Sequence, residues 1–249
     1  MFMNAFSKFA ASVAFVAATV CAGTASASTI INFAQYQQQG AADTLKWTQS
    51  ASKTGGTLAD INSPTVIFRI WDTEVAPGDV VDVLAKMKFN GVVDSGNAAT
   101  TFMGQKIQGG LHGTFSFTSL QAFSRNGVNY GTGVNLLSGT FSGGTIIGAG
   151  TGSVNGDALA GSVVDYTSGV IDTSDFRLDT FILSLNAIHR VGGSGLAYTN
   201  GQSLKNFTAT TTGQFAAAVP EPATWALMIM GFGGAGAMLR NRRRGLALA

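Results

Sequence analysis

Residues 81–89 read VDVLAKMKF, and this stretch decides the predicted fold. Its apolar side chains alternate with polar ones: Val81, Val83, Ala85, Met87 and Phe89 are in one phase, and Asp82, Lys86 and Lys88 are in the other. A period of two residues is that of a β-strand with one buried face and one solvated face. We therefore predict a half-buried antiparallel strand here.

The same alternation continues on both sides of this stretch. Val66, Phe68 and Ile70 share one phase, as do Leu111, Phe115 and Phe117. Further strand candidates, rich in β-branched or aromatic residues and bounded by turn formers, are residues 29–36, 134–141, 178–188 and 204–215. We predict an all-β ectodomain over residues 28–215, folded as an antiparallel β-sandwich of jelly-roll type.

Glycine marks two further features. The most Gly-rich stretch, residues 143–161, reads GGTIIGAGTGSVNGDALAG and predicts a loop or tight turns between strands. Gly-Thr-Phe occurs at residues 113–115 and 139–141, with a looser Gly-Gln-Phe at 213–215. No fixed period joins these copies, and we interpret them as strand openings.

Charge is sparse. Charged residues make up 11% of the 249 residues, against the ~25% typical of a soluble domain. Residues 28–219 hold ten basic and twelve acidic residues, a net charge of −2, although the whole chain is at +2. Because binding to phosphates needs clustered Lys and Arg, we do not expect a nucleic acid partner.

The N-terminal residues 1–27 predict a secretory signal peptide. Lys8 precedes an apolar run over residues 9–20, and Ala25-Ser26-Ala27 supplies a small-residue cleavage site. Signal peptidase would then cut between Ala27 and Ser28; the alternative is a buried N-terminal helix. The only cysteine, Cys21, lies in this segment, so the mature chain would have no disulfide and no thiol chemistry.

The other end of the chain predicts a membrane anchor. The 17 residues 223–239 carry no charge, and a stretch of this length is at the short limit for a transmembrane helix. A basic tail, residues 240–249, follows and contains Arg240, Arg242, Arg243 and Arg244. Because basic residues beside a span stay cytoplasmic, we expect a precursor anchored in the inner membrane with its ectodomain outside.

Between ectodomain and anchor, residues 216–222 predict a linker that ends in Pro220-Glu221-Pro222. Two prolines this close keep the backbone extended, the conformation in which proteases bind their substrates. The alternative is that the prolines only start the helix that follows.

Four features follow one another in order near the C-terminus: Pro220-Glu221-Pro222, the pair Trp225-Ala226, a Gly-rich apolar span and an Arg cluster. This arrangement resembles the PEP-CTERM sorting signal in its PEPxxWA form, over about the last thirty residues. The resemblance implies a bacterium with an exopolysaccharide-producing envelope and processing by an exosortase, an integral-membrane cysteine protease or transpeptidase. It also implies cleavage at or near the tripeptide, a transient anchor, and arginines that act as a stop signal.

The sequence offers few candidate catalytic residues, and we expect no enzymatic activity, catalytic residue, cofactor or metal. His112 and His189 are the only histidines, and the chain has no G-x-S-x-G, H-E-x-x-H or phosphate-loop motif. A secreted hydrolase remains an alternative. Two acidic clusters are interpreted as turn formers, with a calcium site as the alternative: Asp72, Glu74, Asp79 and Asp82; and Asp172, Asp175 and Asp179.

Trp47 and Trp71 are the candidate ligand-binding residues, because an exposed indole can stack on a sugar ring. The alternative is that they cover a second layer of the sandwich. The leading hypothesis is an exported structural or adhesive protein of the cell surface or exopolysaccharide matrix; a carbohydrate-binding module of that matrix is the alternative.

Overall fold

A computed structural model describes residues 28–149, 152–156, 164–174, 176, 179–220 and 230–234. Strands dominate these residues. In chain order they are β1 (Ser28–Gln38), β2 (Leu45–Gln49), β3 (Gly56–Asp60), β4 (Thr65–Ile70), β5 (Val81–Val93), β6 (Thr100–Phe102), β7 (Gln105–Ser119), β8 (Phe123–Arg125), β9 (Val128–Tyr130), β10 (Asn135–Gly148), β11 (Gly152–Gly156), β12 (Val164–Thr167), β13 (Asp179–Arg190), β14 (Gly193–Ser194) and β15 (Phe207–Pro220).

The strands predicted from alternation are confirmed. The stretch at residues 81–89 lies in β5, where Val83, Ala85 and Met87 are buried. The polar residues between them, Asp82 and Lys86, are exposed. The other predicted strands correspond to β1, β4, β7, β10, β13 and β15.

Hydrogen bonding joins thirteen of these strands into one sheet. Its order is β1-β4-β5-β3-β2-β15-β13-β11-β10-β7-β6, with β12 paired to β10 and β14 to β13. Because β5 also pairs with β7, the path from β5 round to β7 returns to its start and the sheet closes on itself. β8 and β9 form a separate hairpin.

Two long strands allow this closure. One edge of β5 pairs with β4 in its first half and with β3 in its second half, while the other edge pairs with β7. β15 likewise pairs with both β2 and β1, and with β13. The all-β antiparallel prediction is confirmed. The pairing is nevertheless that of one continuous closed sheet, which differs from the two separate sheets of the predicted jelly-roll sandwich.

The interior of the closed sheet is filled mainly by aromatic rings. The Phe117 ring lies 4.8 Å from that of Phe68, 5.0 Å from that of Tyr36 and 5.4 Å from that of Phe215, measured between centroids. Full burial of such side chains contributes about 1.5–3 kcal/mol each. Tyr36 donates its hydroxyl to Thr211 Oγ1 at 2.9 Å, and burial raises the pKa of that phenol.

The two Gly-Thr-Phe copies lie opposite each other. Antiparallel pairing of β7 with β10 sets Gly113 against Phe141, Thr114 against Thr140, and Phe115 against Gly139, so each phenylalanine faces the other copy's glycine. A Cβ on Gly113 would stand 2.0 Å from the Asn90 carbonyl oxygen. The motif is therefore a reciprocal cross-strand pair within the strands rather than the predicted strand opening.

Two predicted connections also prove to be strands. Residues 143–148, part of the predicted Gly-rich loop, are the end of β10, and residues 152–156 form β11. Residues 216–220, assigned to the linker, are the end of β15, where Ala216, Ala217 and Ala218 are buried. Ala216 pairs with Thr180 of β13, so this segment belongs to the sheet.

Candidate functional site

The structure contradicts the prediction that Trp47 binds a ligand. The Trp47 side chain is 0% exposed in the core, and its indole N–H donates to the Leu204 carbonyl at 2.8 Å. A sugar could reach this ring only if the sheet opened. The sequence held a signal for this burial, because Leu45 and Trp47 alternate with Lys46 and Thr48, the period-two pattern of a strand with one buried face.

Trp71 is half-buried and borders a surface depression. Its backbone N–H donates to the Phe33 carbonyl at 2.9 Å, which holds the residue beside β1. The Arg69 guanidinium carbon lies 5.0 Å from the centroid of the indole ring, within cation–π range. Arg69 is in turn held by Asp82, at 2.6 Å from Nε to Oδ1 and 2.5 Å from Nη2 to Oδ2.

Three adjoining depressions run from Trp71 across the outer face of β1, β15 and β13, and we call them together the amide groove. They have volumes of about 300, 230 and 440 Å³. Neighbouring depressions share lining residues, so the three are continuous. The polar side chains along the groove include Gln35, Gln37, Ser184, Asn186, Thr212 and Gln214.

The register of β13 and β15 explains why these polar side chains form a row. Ser184 lies opposite Thr212, and Ile182 opposite Gln214. Side chains two residues apart on a strand point to the same face, so Leu183 and Phe215, which are in the other phase, enter the core while these groups face outward.

Gln38 closes one end of the groove and is fully engaged. Its Oε1 accepts from the Thr211 backbone N–H at 3.0 Å and from the Thr44 hydroxyl at 3.2 Å, and its Nε2 donates to the Gly40 carbonyl at 3.0 Å. By contrast, within the described part of the chain the side-chain amides of Gln35, Gln37 and Gln214 make no hydrogen bond.

Three members of the first acidic cluster, Asp72, Asp79 and Asp82, have partners among the described residues. Asp72 Oδ1 accepts from the Gly78 backbone N–H at 3.0 Å, and Asp79 Oδ2 accepts from the Asn126 backbone N–H at 3.0 Å. The hydrogen bonds from Arg69 hold the pKa of Asp82 below its usual range. These contacts are those of turn and ion-pair residues.

A buried arginine holds the loop that carries this cluster. Arg125 is 3% exposed and donates from Nη2 to the Ala76 carbonyl at 2.7 Å and from Nε to the Asp79 carbonyl at 3.0 Å. Burial lowers the pKa of this guanidinium from its ordinary value. Its carbonyl partners compensate for part of the cost of burying the charge.

Of the second acidic cluster, Asp172 caps a turn. Its Oδ1 accepts from the Ser174 backbone N–H at 3.0 Å, and this bond lowers the pKa of the carboxyl. Asp175 and the side chain of Asp179 lie outside the described residues. Among the groups that the structure describes, no set of three or more His, Cys, Asp or Glu side chains could hold a metal ion.

The two histidines lie apart from the amide groove. His189 Nδ1 lies 3.1 Å from Asp43 Oδ2, which also accepts the hydroxyl of Thr208. His112 Nε2 lies 4.0 Å from Asp94 Oδ1. Thr208 therefore bonds to the carboxylate and not to the imidazole, whereas a hydrolytic triad needs the nucleophile on the imidazole.

Most of the predicted targeting residues lie outside the described part of the chain. These are the signal peptide with Ala27, the motif residues Glu221, Pro222, Trp225 and Ala226, and the stop-signal residues Arg240, Arg242, Arg243 and Arg244. Ser28 begins β1 and Pro220 ends β15. Of the predicted anchor, residues 230–234 are described, and they are helical. Over the described residues, no helix has the length and apolar character that a membrane crossing requires.

Comparison with known proteins identifies one segment of the chain. Residues 218–244 match the family model of the PEP-CTERM protein-sorting motif, which confirms the resemblance drawn from Pro220-Glu221-Pro222 and Trp225-Ala226. No curated protein and no solved structure matches the chain. The protein thus carries a PEP-CTERM protein-sorting motif over residues 218–244.

Proposed function

We propose that this protein is a non-catalytic structural or adhesive component of the bacterial surface or exopolysaccharide matrix. The sorting motif implies an exported precursor that an exosortase processes. In this account signal peptidase removes residues 1–27, and the C-terminal segment anchors the precursor in the inner membrane until exosortase acts. The −2 charge of residues 28–219 is consistent with a partner other than nucleic acid.

One observation carries the proposal: the sorting motif begins at residue 218, inside the last strand of the sheet. Cleavage at or near Pro222 would remove the anchor and leave β15 complete. The product would be the intact closed sheet, free of its anchor, and it would need no further proteolysis.

Complementation of a host deletion strain tests this function. The wild-type gene should restore the protein to the matrix fraction and restore attached biomass. A variant with Pro220→Ala, Glu221→Ala and Pro222→Ala should accumulate in the membrane fraction, while Gln105→Ala, an exposed change on β7, should behave as wild type. Unchanged attachment in the deletion strain, or the triple variant reaching the matrix at wild-type levels, would refute the proposal.

A second candidate function, carbohydrate binding within the same matrix, is favoured by the position of Trp71. This half-buried indole stands at one end of a groove lined by amides and hydroxyls. Aromatic rings beside amide groups are the side chains that recognise a sugar through its apolar face and its hydroxyls.

A further inference from the structure

We propose that the amide groove on the outer face of β1, β15 and β13 binds an uncharged, extended glycan chain. This inference deepens the second candidate function, since it names the site and the class of polymer. Four features of the groove support it: its charge, its unpartnered amides, its closed backbone edges and its aromatic end.

The charge of the lining selects an uncharged ligand. Among the described residues that line the three depressions, Asp72 is the only one with a side chain that is charged at neutral pH, and it lies at the Trp71 end, where it already caps the turn at Gly78. A polyanion such as a polyuronate or a nucleic acid would find no Lys or Arg among these lining residues, and Arg69, which stacks on Trp71 at the groove end, is already paired with Asp82. The described lining therefore lacks the unpaired cations that phosphate or carboxylate recognition requires.

The side-chain amides of the groove are ready to bind. An amide group offers two N–H donors and one carbonyl acceptor, and those of Gln35, Gln37 and Gln214 bond to no other described group. The hydroxyls of a sugar both donate and accept, so one sugar can engage several such amides. Gln38, which is engaged by the Thr211 backbone, keeps the end of the groove fixed.

The backbone around the groove argues against a peptide ligand. An extended peptide binds most readily by adding a strand to an open sheet edge. Here β15 lies between β13 and β1 or β2, β1 lies between β4 and β15, and β13 lies between β15 and β11. Where β1 pairs with β4 (residues 34–38) and β13 pairs with β11 (residues 181–185), no strand edge is open to a peptide, so recognition along the middle of this face depends on side chains.

The shape of the groove suits a chain rather than a single sugar. Its lining extends from Asn32 to Gln38 on β1, which corresponds to about 20 Å at ~3.4 Å per residue. The indole of Trp71 borders one end, and Ile182, 49% exposed, offers an apolar surface further along. Together they provide apolar contacts for the C–H faces of successive sugars.

Binding of neutral polymers to the full chain tests the inference. The chain, purified in mild detergent and immobilised, is titrated with hydroxyethyl cellulose, laminarin, galactomannan and dextran, and with alginate as the polyanion. We expect saturable binding of at least one neutral polymer and none of alginate. Gln35→Ala and Gln214→Ala should each weaken that binding about tenfold, the loss expected for one or two hydrogen bonds.

Gln105→Ala is the matched control, because Gln105 is an exposed glutamine on β7 away from the groove. All three variants should melt as wild type does. Binding of no neutral polymer, binding of alginate alone, or equal affinities in the groove variants and the control would overturn the inference. The matrix-fraction assay measures the sorting function independently. A sorted protein that binds no polymer refutes both the groove and the second candidate function on which it rests, whereas polymer binding that Gln35→Ala and Gln214→Ala leave unchanged refutes only the groove.

Discussion

At the scale of single residues, the paired glycines and phenylalanines of β7 and β10 show how close this sheet packs. Gly113 and Gly139 each face a phenylalanine of the other strand. A Cβ on Gly139 would stand 2.7 Å from the Phe115 ring and 2.8 Å from the Asp165 carbonyl oxygen. The repeat is visible in the sequence, but its meaning depends on the pairing register, which a sequence does not display.

Replacement of Gly113 should therefore be costly. Gly113→Ala would force the Asn90 backbone to move, and we expect a loss of about 2–3 kcal/mol in the free energy of unfolding. The matched control is Gly109→Ala in the same strand, where an added Cβ would meet no atom within 4 Å. We expect this variant to change the free energy of unfolding by less than about 1 kcal/mol. Denaturant unfolding of both variants measures the difference, and equal values would contradict the close approach of β5 and β7.

The Arg69–Asp82 pair should make a small pH-dependent contribution to stability. The pKa of Asp82 is lowered in the folded state, so its contribution is present above the unfolded pKa of an aspartate and is lost as the pH falls through the folded value. The contribution is small because both side chains are exposed. Melting temperatures of wild type and Asp82→Asn should differ at pH 7 and converge in acid; a constant difference down to pH 2 would be inconsistent with this coupling.

At the scale of elements, β15 connects the fold to the sorting motif. The residue pattern correctly predicts a strand over residues 204–215, but the alanine run that follows lacks the alternation of a strand and predicts a linker over residues 216–220. The small alanines are buried against their neighbours and continue the pairing with β13. Composition alone predicts a linker here because it carries no information on which residues are buried.

The position of β15 predicts how the domain tolerates truncation. A chain of residues 28–222 should fold and melt cooperatively, because it keeps every strand. A chain of residues 28–212 loses Phe215 and the buried alanines from the core and should fail to fold. Circular dichroism melting curves test both chains, and a cooperative transition in the shorter one would show that the end of β15 is dispensable.

At the scale of the whole molecule, long-range pairing builds both the fold and the groove. Tyr36 of β1 bonds to Thr211 of β15 across 175 residues of sequence, and β1 and β15 pair with each other within the closed sheet. Alternation predicts the individual strands well, since it is a local signal. Strand order and the row of amides from Gln35 to Gln214 arise from pairings that no local pattern encodes.

We expect that processing at the sorting motif, which begins inside β15, releases the folded sheet from its anchor. Mass analysis of the mature protein isolated from its host tests this claim most directly. We expect a chain that starts at Ser28 and ends near Pro222. A mature chain that still ends at Ala249 would contradict it.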